Sequence, residues 1–588
     1  VKIQTILFAV AVGALVILVQ AQAQEPTERF IGEATVNLIE VPVRVIDPST
    51  GEPVTGLTMD DFRVLENGIE QRVTNFNEIG SRQVVGPIRD ERTVSASARA
   101  GEPEAKPIEI IYFFDLYLMY KRDRDRAIEG LREQFRTEVP EDINVSVVAY
   151  DGVLETMLDR SEHNEDVLDA LEEVQYLTAR GPQQTIAFSQ ALTSREVSGQ
   201  RDIEYYERRQ RSQEYFFELE KKVMQVGDAL AATMARYARA DGRRVLVAFT
   251  PGYPRVEWAP EYSPVDFVNA SVRYPTDRIW ENLAHEAADL GFTLYTVDSS
   301  GVSVLGGVED SYIEDAEFSR LGRASGRTAA ATAGGAAIGA GTVGDPTLAS
   351  VDPNAPQDVG AWIERNRKEL LITASASTGG SAIFASDVTS ALDRVNSALD
   401  HYYSLGYIAN HSGDGEDYSI EVKIEGHPEY RLVHRTGYID QPASMRAAQR
   451  LRSEMLFGED ANPLAVRVEI GEPDSRFRMG AAGSKRVKVP IQLKIPYARL
   501  EMVPRGDLYW GKVMITFFGT DQTGNQSRLA GFEQPITIDA KLYQEAVQKG
   551  YFGYEATVEI EGGTQQVFIG IEDAISGRIS IMPQEFKF

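Results

Sequence analysis

The sequence predicts an α/β protein: a mostly parallel central sheet with helices on both faces, flanked by an N-terminal β domain and a C-terminal β-sandwich. Three observations predict it. Apolar strands at Ile108–Asp115, Asn144–Tyr150, Arg244–Thr250, Phe292–Asp298 and Ser381–Phe384 alternate with amphipathic helices, the pattern of a sheet buried on both faces. On either side of that stretch the pattern changes to period-two alternation, which belongs to half-buried antiparallel strands. And 588 residues are too many for one hydrophobic core, since domains run to roughly 50–200 residues each.

In chain order, residues 1–23 read as an export signal: Lys2, an apolar run from Ile6 to Val19, then Ala21-Gln22-Ala23 as the small-residue cleavage pattern. The run falls short of the ~20 residues that span a bilayer, which favours a cleaved leader over an anchor. No later segment is apolar enough to span. The chain therefore reads as secreted or periplasmic, and the total absence of cysteine leaves its stability to packing alone.

Residues 30–80 read as a small immunoglobulin-like β domain. Val41, Val43 and Val45 alternate with polar residues, and Asn67-Gly68 interrupts a second strand run where a two-residue hairpin turn needs positive φ twice. Residues 81–107, rich in Ser, Ala, Gly, Pro and charge, form a linker. The α/β unit occupies 108–410. In it, Val153–Leu158 follows the second strand after only Asp151-Gly152, so one edge strand is antiparallel. Val167, Leu171 and Val174 share one helix face, and Leu392, Val395, Leu399 and Tyr402 another.

Two insertions interrupt this unit. Residues 195–240 set Tyr205, Tyr206, Tyr215, Phe216 and Phe217 among Arg and Glu; they read as a long helix packed on its own domain, with a partner-binding arm as the alternative. Residues 325–357 are an Ala/Gly-rich loop. Beyond them, His401–Tyr407 and Tyr418–Tyr438 read as strands, 411–459 as a β extension ending in a short helix near Ala443–Met455, and 460–588 as the sandwich. In the last, Val487, Val489, Ile491, Leu493 and Ile495 alternate, as do Val513, Ile515, Phe517 and Val567, Ile569, Ile571.

Composition narrows the function. A net charge of −28 excludes the clustered cations that phosphate backbones and anionic membranes require, so nucleic acid is not the partner. The six histidines show no metal-ligand spacing, and with no cysteine there is no thiolate site. Gly339, Gly341 and Gly344 match a dinucleotide fingerprint but lie in low-complexity sequence without a preceding strand. His285-Glu286 opens a zinc-protease pattern, yet Asp289 stands where its second histidine belongs.

The strand–helix order, the Asp that ends the first strand, and the segments VPVRVIDPSTGEPVTGLTMDDFRVLENGIEQRVTNF, GRRVLVAFTPGYP, LYTVDSSGV, TGGSAIFASDV and HYYSLGY together resemble a von Willebrand factor type A (VWFA) protein of the acidobacterial VWFA-related kind. The resemblance spans roughly residues 30–440. It implies a Rossmann-like type A fold, an exported protein used for binding rather than for a defined reaction, and a metal-ion-dependent adhesion site (MIDAS).

That site begins Asp-x-Ser-x-Ser, which here reads Asp115-Leu116-Tyr117-Leu118-Met119. A phenol is too long to replace a serine hydroxyl in place, and a thioether is a poor ligand for a hard ion that needs about six oxygens. Thr185 is similar to the threonine of the second motif. The third places an Asp before Gly after the fourth strand, where this chain has Thr250-Pro251-Gly252. Asp115, Tyr117, Met119, Thr185, Thr250 and Pro251 thus outline a degenerate, metal-free site, and no cofactor is expected. Asp151 and Asp298, at the same sheet edge, are the carboxylates that would rescue a Mg²⁺ site alongside Asp115 and Thr185; the plainer reading of both is a solvated or capping carboxylate.

The expected function is protein–protein interaction or adhesion, through the sheet's upper edge or the inserted helix. Its rivals are an envelope scaffold acting through the β domains and a divalent-cation-dependent binder. A hydrolase would need Asp151, Asp298 or His285 in one closed pocket.

Overall fold

A computed structural model of the chain describes residues 19–21, 38–80, 108–136, 143–183, 201–238, 243–252, 277–300, 368–457, 462–473, 486–521, 530–561 and 564–587. The chain divides into two compact units, Thr35–Asp440 and Val1–Ala34 with Gln441–Phe588.

The centre of the first unit is a six-stranded sheet. Its elements are β1 (Ile108–Asp115), α1 (Lys121–Phe135), β2 (Ile143–Tyr150), β3 (Leu154–Ser161), α2 (Asn164–Tyr176), α3 (Arg201–Tyr237), β4 (Arg244–Phe249), α4 (Asp277–Asp289), β5 (Phe292–Asp298), β6 (Ala382–Phe384) and α5 (Val388–Asp400). The strands lie in the order β3-β2-β1-β4-β5-β6, parallel throughout except for β3. The Asp151-Gly152 hairpin expected from sequence turns the chain into that antiparallel edge, with Tyr150 opposite Leu154.

Burial on both faces explains why these strands are predominantly apolar. Ile110, Tyr112 and Phe114 of β1 face the core shared with α1, α2 and α5. Ile111 and Phe113 are buried on the opposite side, as are Val226 and Leu230 of α3 and Trp280 and Leu283 of α4. The C-terminal half of the long helix therefore packs on its domain. Tyr402, assigned by spacing to the α5 face, instead opens the strand Tyr402–Ile408, because α5 ends at Asp400.

That strand changes the domain outline. Tyr402–Ile408, placed by sequence inside a unit running to residue 410, pairs with Leu38–Ile46 on one side and Val73–Ile79 on the other. Asp417–Ile424, assigned to a separate extension, pairs with Phe62–Glu66. Two four-stranded sheets result, each containing strands from before and after the central sheet, and they share one core that includes Val41, Val43, Phe62, Tyr403, Leu405 and Val422. The physical reason is burial: the strands within residues 38–80 leave an apolar face open until the returning chain covers it. The Asn67-Gly68 turn has φ of 49° and 78° at its two residues, as its sequence demands.

In the second unit, Arg467–Ile470, Arg486–Pro496 and Tyr551–Glu561 form one antiparallel sheet, whose outer edge also carries Val19–Ala21. Val503–Arg505, Leu508–Asp521, Ala530–Asp539, Thr564–Asp573 and Ile579–Lys587 form the other. The alternating residues of Arg486–Pro496, Leu508–Asp521 and Thr564–Asp573 meet in a single core. Among the described residues, no helix is long and apolar enough to cross a membrane.

Candidate functional site

In an open α/β sheet, ligand sites form beyond the carboxyl ends of the strands where the strand order reverses. Here that point lies between β1 and β4, whose ends carry Asp115 and Thr250. Both residues are fully buried. Asp115 Oδ2 accepts a hydrogen bond from Thr250 Oγ1 at 2.7 Å, and its Oδ1 accepts one from Leu118 N at 3.0 Å. Burial pushes the Asp115 carboxyl up to about 7, opposed by the hydrogen bonds from Thr250 and from the Leu118 and Tyr117 backbone.

Neither replacement for the missing serines offers an oxygen beside Asp115. Tyr117 lays its ring against Tyr150, at 5.6 Å between centroids, and its hydroxyl donates to Gln225 Oε1 on α3 at 3.2 Å. Met119 is part of the central core. Thr250 Oγ1, besides donating to Asp115, accepts from Gly252 N at 3.0 Å, which fixes the turn through the buried Pro251. Thr185 lies outside the described residues.

The segment just before Thr185 closes over the Leu116–Met119 turn. Arg180 N donates to Leu116 O at 2.7 Å and Gly181 N to Met119 O at 3.0 Å. The approach is so close that a Cβ on residue 181 would stand 2.5 Å from Met119 O, so only glycine fits. Arg180 then reaches Asp151 Oδ2 at 2.9 Å, while its own side chain stays 41% exposed. A Cβ on Gly152 would lie 3.7 Å from the Tyr117 ring and 3.8 Å from Arg180 Nη1, so ring and guanidinium flank the same hairpin.

The rescue carboxylates are engaged too. Asp151 is tied to Arg180 and also accepts from Val153 N, and Asp298, almost fully buried, accepts from Ser300 N at 3.0 Å to shape its own turn. His285 Nδ1 instead lies 3.9 Å from Asp417 Oδ1, away from both carboxylates. Among the described residues, this donor set does not fit a hard cation needing about six oxygens: the Asp115 carboxylate is buried and engaged at both oxygens, a phenol and a thioether stand at the two serine positions, and a proline stands at the aspartate position of the third motif.

Sequence reasoning named Asp115, Thr250 and Asp151 and missed Arg180. Its only signal was the Arg180-Gly181-Pro182 run, a basic residue leading into a turn. Among the described residues, the exposed ones in these segments include Arg180, Val153 at 56% exposure and Tyr176 at 79%, the last at the C-terminal end of α2.

No known family profile matches the chain, and no curated protein does. The chain has likenesses among solved structures, at low identity and low TM-score. An aerotolerance-related membrane protein of Bacteroides fragilis is 11% identical, over 49% of this chain and 96% of its own, at a TM-score of 0.21. The vWF domain of the type V pilus tip protein Mfa5 of Porphyromonas gingivalis is 10% identical over 33% and 81%, at 0.18. The pilus adhesin SpaC of Lactobacillus rhamnosus GG, in its open conformation, is 8% identical over 93% and 58%, at 0.20.

Proposed function

We propose that this chain is an exported, non-enzymatic interaction protein whose type A-like α/β unit binds a protein partner at the carboxyl edge of its central sheet without a metal ion. The observation that carries this reading is the Asp115–Thr250 hydrogen bond, which turns the one remaining ligand carboxylate into an internal strut. The strand order with its antiparallel β3 and the Asp at the end of β1 support the type A assignment, and the signal-like sequence pattern of residues 1–23 supports the location.

In place of a cation, the edge presents the half-exposed Arg180 guanidinium, held by Asp151 and lying with the Tyr117 ring against the Gly152 hairpin, whose Val153 is exposed. A guanidinium on an aromatic and aliphatic surface suits an acidic or hydrogen-bond-accepting partner segment.

A photo-crosslinking residue at Val153 identifies the partner, and its affinity is then measured in Mg²⁺ and in EDTA. The dissociation constant should agree within about twofold in the two buffers, and Arg180→Glu should weaken binding about tenfold or more. Release of the partner by EDTA, restored by Mg²⁺, would overturn the metal-free reading.

A further inference from the structure

Away from the central sheet, the loop between the strands Tyr402–Ile408 and Asp417–Ile424 holds a second polar cluster. One ligand atom each from His411, Asp414 and Asp440 lies within 4.8 Å of the other two. The loop is shaped for this by Gly413 and Gly415, at φ of 65° and 80°. It is fastened to the residue after Gly437–Ile439 by Gly415 N to Asp440 O at 2.8 Å and Asp440 N to Glu416 O at 3.0 Å.

The imidazole is oriented from both sides. His411 Nδ1 lies 2.7 Å from Asp440 Oδ2, and Nε2 lies 3.3 Å from Glu66 Oε2. Glu66 is itself held at its other oxygen by the Tyr407 hydroxyl at 2.6 Å and the Tyr438 hydroxyl at 2.8 Å. The ring stacks on Tyr418 at 3.6 Å, whose hydroxyl donates to Asp414 Oδ2 at 2.6 Å. Asp440 also accepts from Gly413 N at 2.7 Å.

We infer that this loop is a binding site for a zinc-class divalent cation, held by His411 Nδ1, Asp440 and Asp414, with Glu66 as the positioning residue behind the histidine. The pattern is that of metal-ligating histidines, whose second ring nitrogen donates to a fixed carboxylate that sets tautomer and orientation. Charge points the same way. Glu66 and Asp440 are buried and Asp414 stands beside them, so three carboxylates surround one imidazole, and a divalent ion offsets the excess.

A mixed set of one imidazole and two carboxylates suits zinc, nickel or copper better than magnesium or calcium, which prefer oxygen alone. Three protein ligands leave a fourth tetrahedral position for water on the exposed side, at Asp414. Binding must lengthen the contact between His411 and Asp440 and draw Asp414 in, a movement open to an exposed loop side chain.

The test is calorimetric titration of the full chain with Zn²⁺ alone, in the wild type, in Asp414→Asn and in His411→Gln, with thermal midpoints measured alongside. One saturable equivalent is expected in the wild type, with a raised midpoint. Affinity should fall about tenfold or more in Asp414→Asn and be lost in His411→Gln. Asp414 is exposed, so its variant keeps the experiment decisive even if His411→Gln does not fold. Absence of saturable Zn²⁺ binding, or binding that Asp414→Asn leaves unchanged, overturns the assignment and leaves His411 as an ion-paired structural residue. An Asp115→Asn chain should retain the site, which separates this inference from the reading of the sheet edge.

Discussion

Thr250 Oγ1 donates to Asp115 Oδ2 over 2.7 Å, across the place where the central sheet reverses its strand order. The same hydroxyl accepts from Gly252 N, so it is engaged as donor and acceptor and ties the ends of β1 and β4 to the turn after β4. A pair that would face a cation in a metal-dependent site thereby acts as an internal clasp.

The clasp gives stability a pH dependence whose sign can be worked out. Burial moves the Asp115 carboxyl from an ordinary 3.8 up to about 7, so the folded chain holds this proton more tightly than the unfolded chain. Its contribution is fully present below the unfolded value and is lost as pH rises through about 7; the full difference corresponds to about 4 kcal/mol. Asp115→Asn mimics the protonated form at every pH. Thermal midpoints taken near pH 5 and near pH 8 should therefore drop less in the variant than in the wild type. Equal drops would show that Asp115 does not carry this pH dependence.

Arg180 separates stability from binding. Its ion pair with Asp151 is partly solvated, so Arg180→Ala should cost less than about 1 kcal/mol. Urea midpoints should hardly move, while partner affinity measured on the same preparation falls. A large stability loss with unchanged affinity would make Arg180 a structural residue only.

The β unit built from both ends of the central domain predicts long-range dependence. Tyr403 is fully buried, its ring centroid lies 5.1 Å from that of Phe62 and 5.9 Å from that of Phe76, and its hydroxyl donates to Val54 O at 2.9 Å. Tyr403→Ala should cost about 3–5 kcal/mol, and Tyr403→Phe about 1–3 kcal/mol for the loss of the hydroxyl that serves Val54 O, Glu78 Oε1 and Leu57 N. Hydrogen exchange in Leu38–Ile46 and Val73–Ile79 should quicken in the alanine variant, though these strands lie more than 300 residues away in sequence. Unchanged exchange there would contradict the pairing.

Much of this architecture was legible because its causes are local. Predominantly apolar runs located β1, β2, β4 and β5, since a strand buried on both faces admits few polar side chains, here Glu109, Asp115, Ser146, Thr293, Thr296 and Asp298. Asn67-Gly68 and Asp151-Gly152 announced their hairpins through the backbone conformations they favour. Alternation marked Val43 as facing a core but carried no sign that Tyr403 would be its neighbour across the sheet. Periodicity says which face is buried, not which segment covers it. The site divided along the same line. Residue chemistry exposed the missing ligands at Tyr117, Met119 and Pro251, whereas the reach of Arg180 to Asp151 and the seating of His411 between Asp440 and Glu66 depend on folding.

Magnesium titration of the full chain by calorimetry addresses the sheet edge most directly. With Asp115 buried and engaged at both oxygens, the wild type should take up no Mg²⁺ in a saturable manner, and Asp115→Asn should give the same trace. Saturable uptake that Asp115→Asn abolishes would contradict the metal-free site.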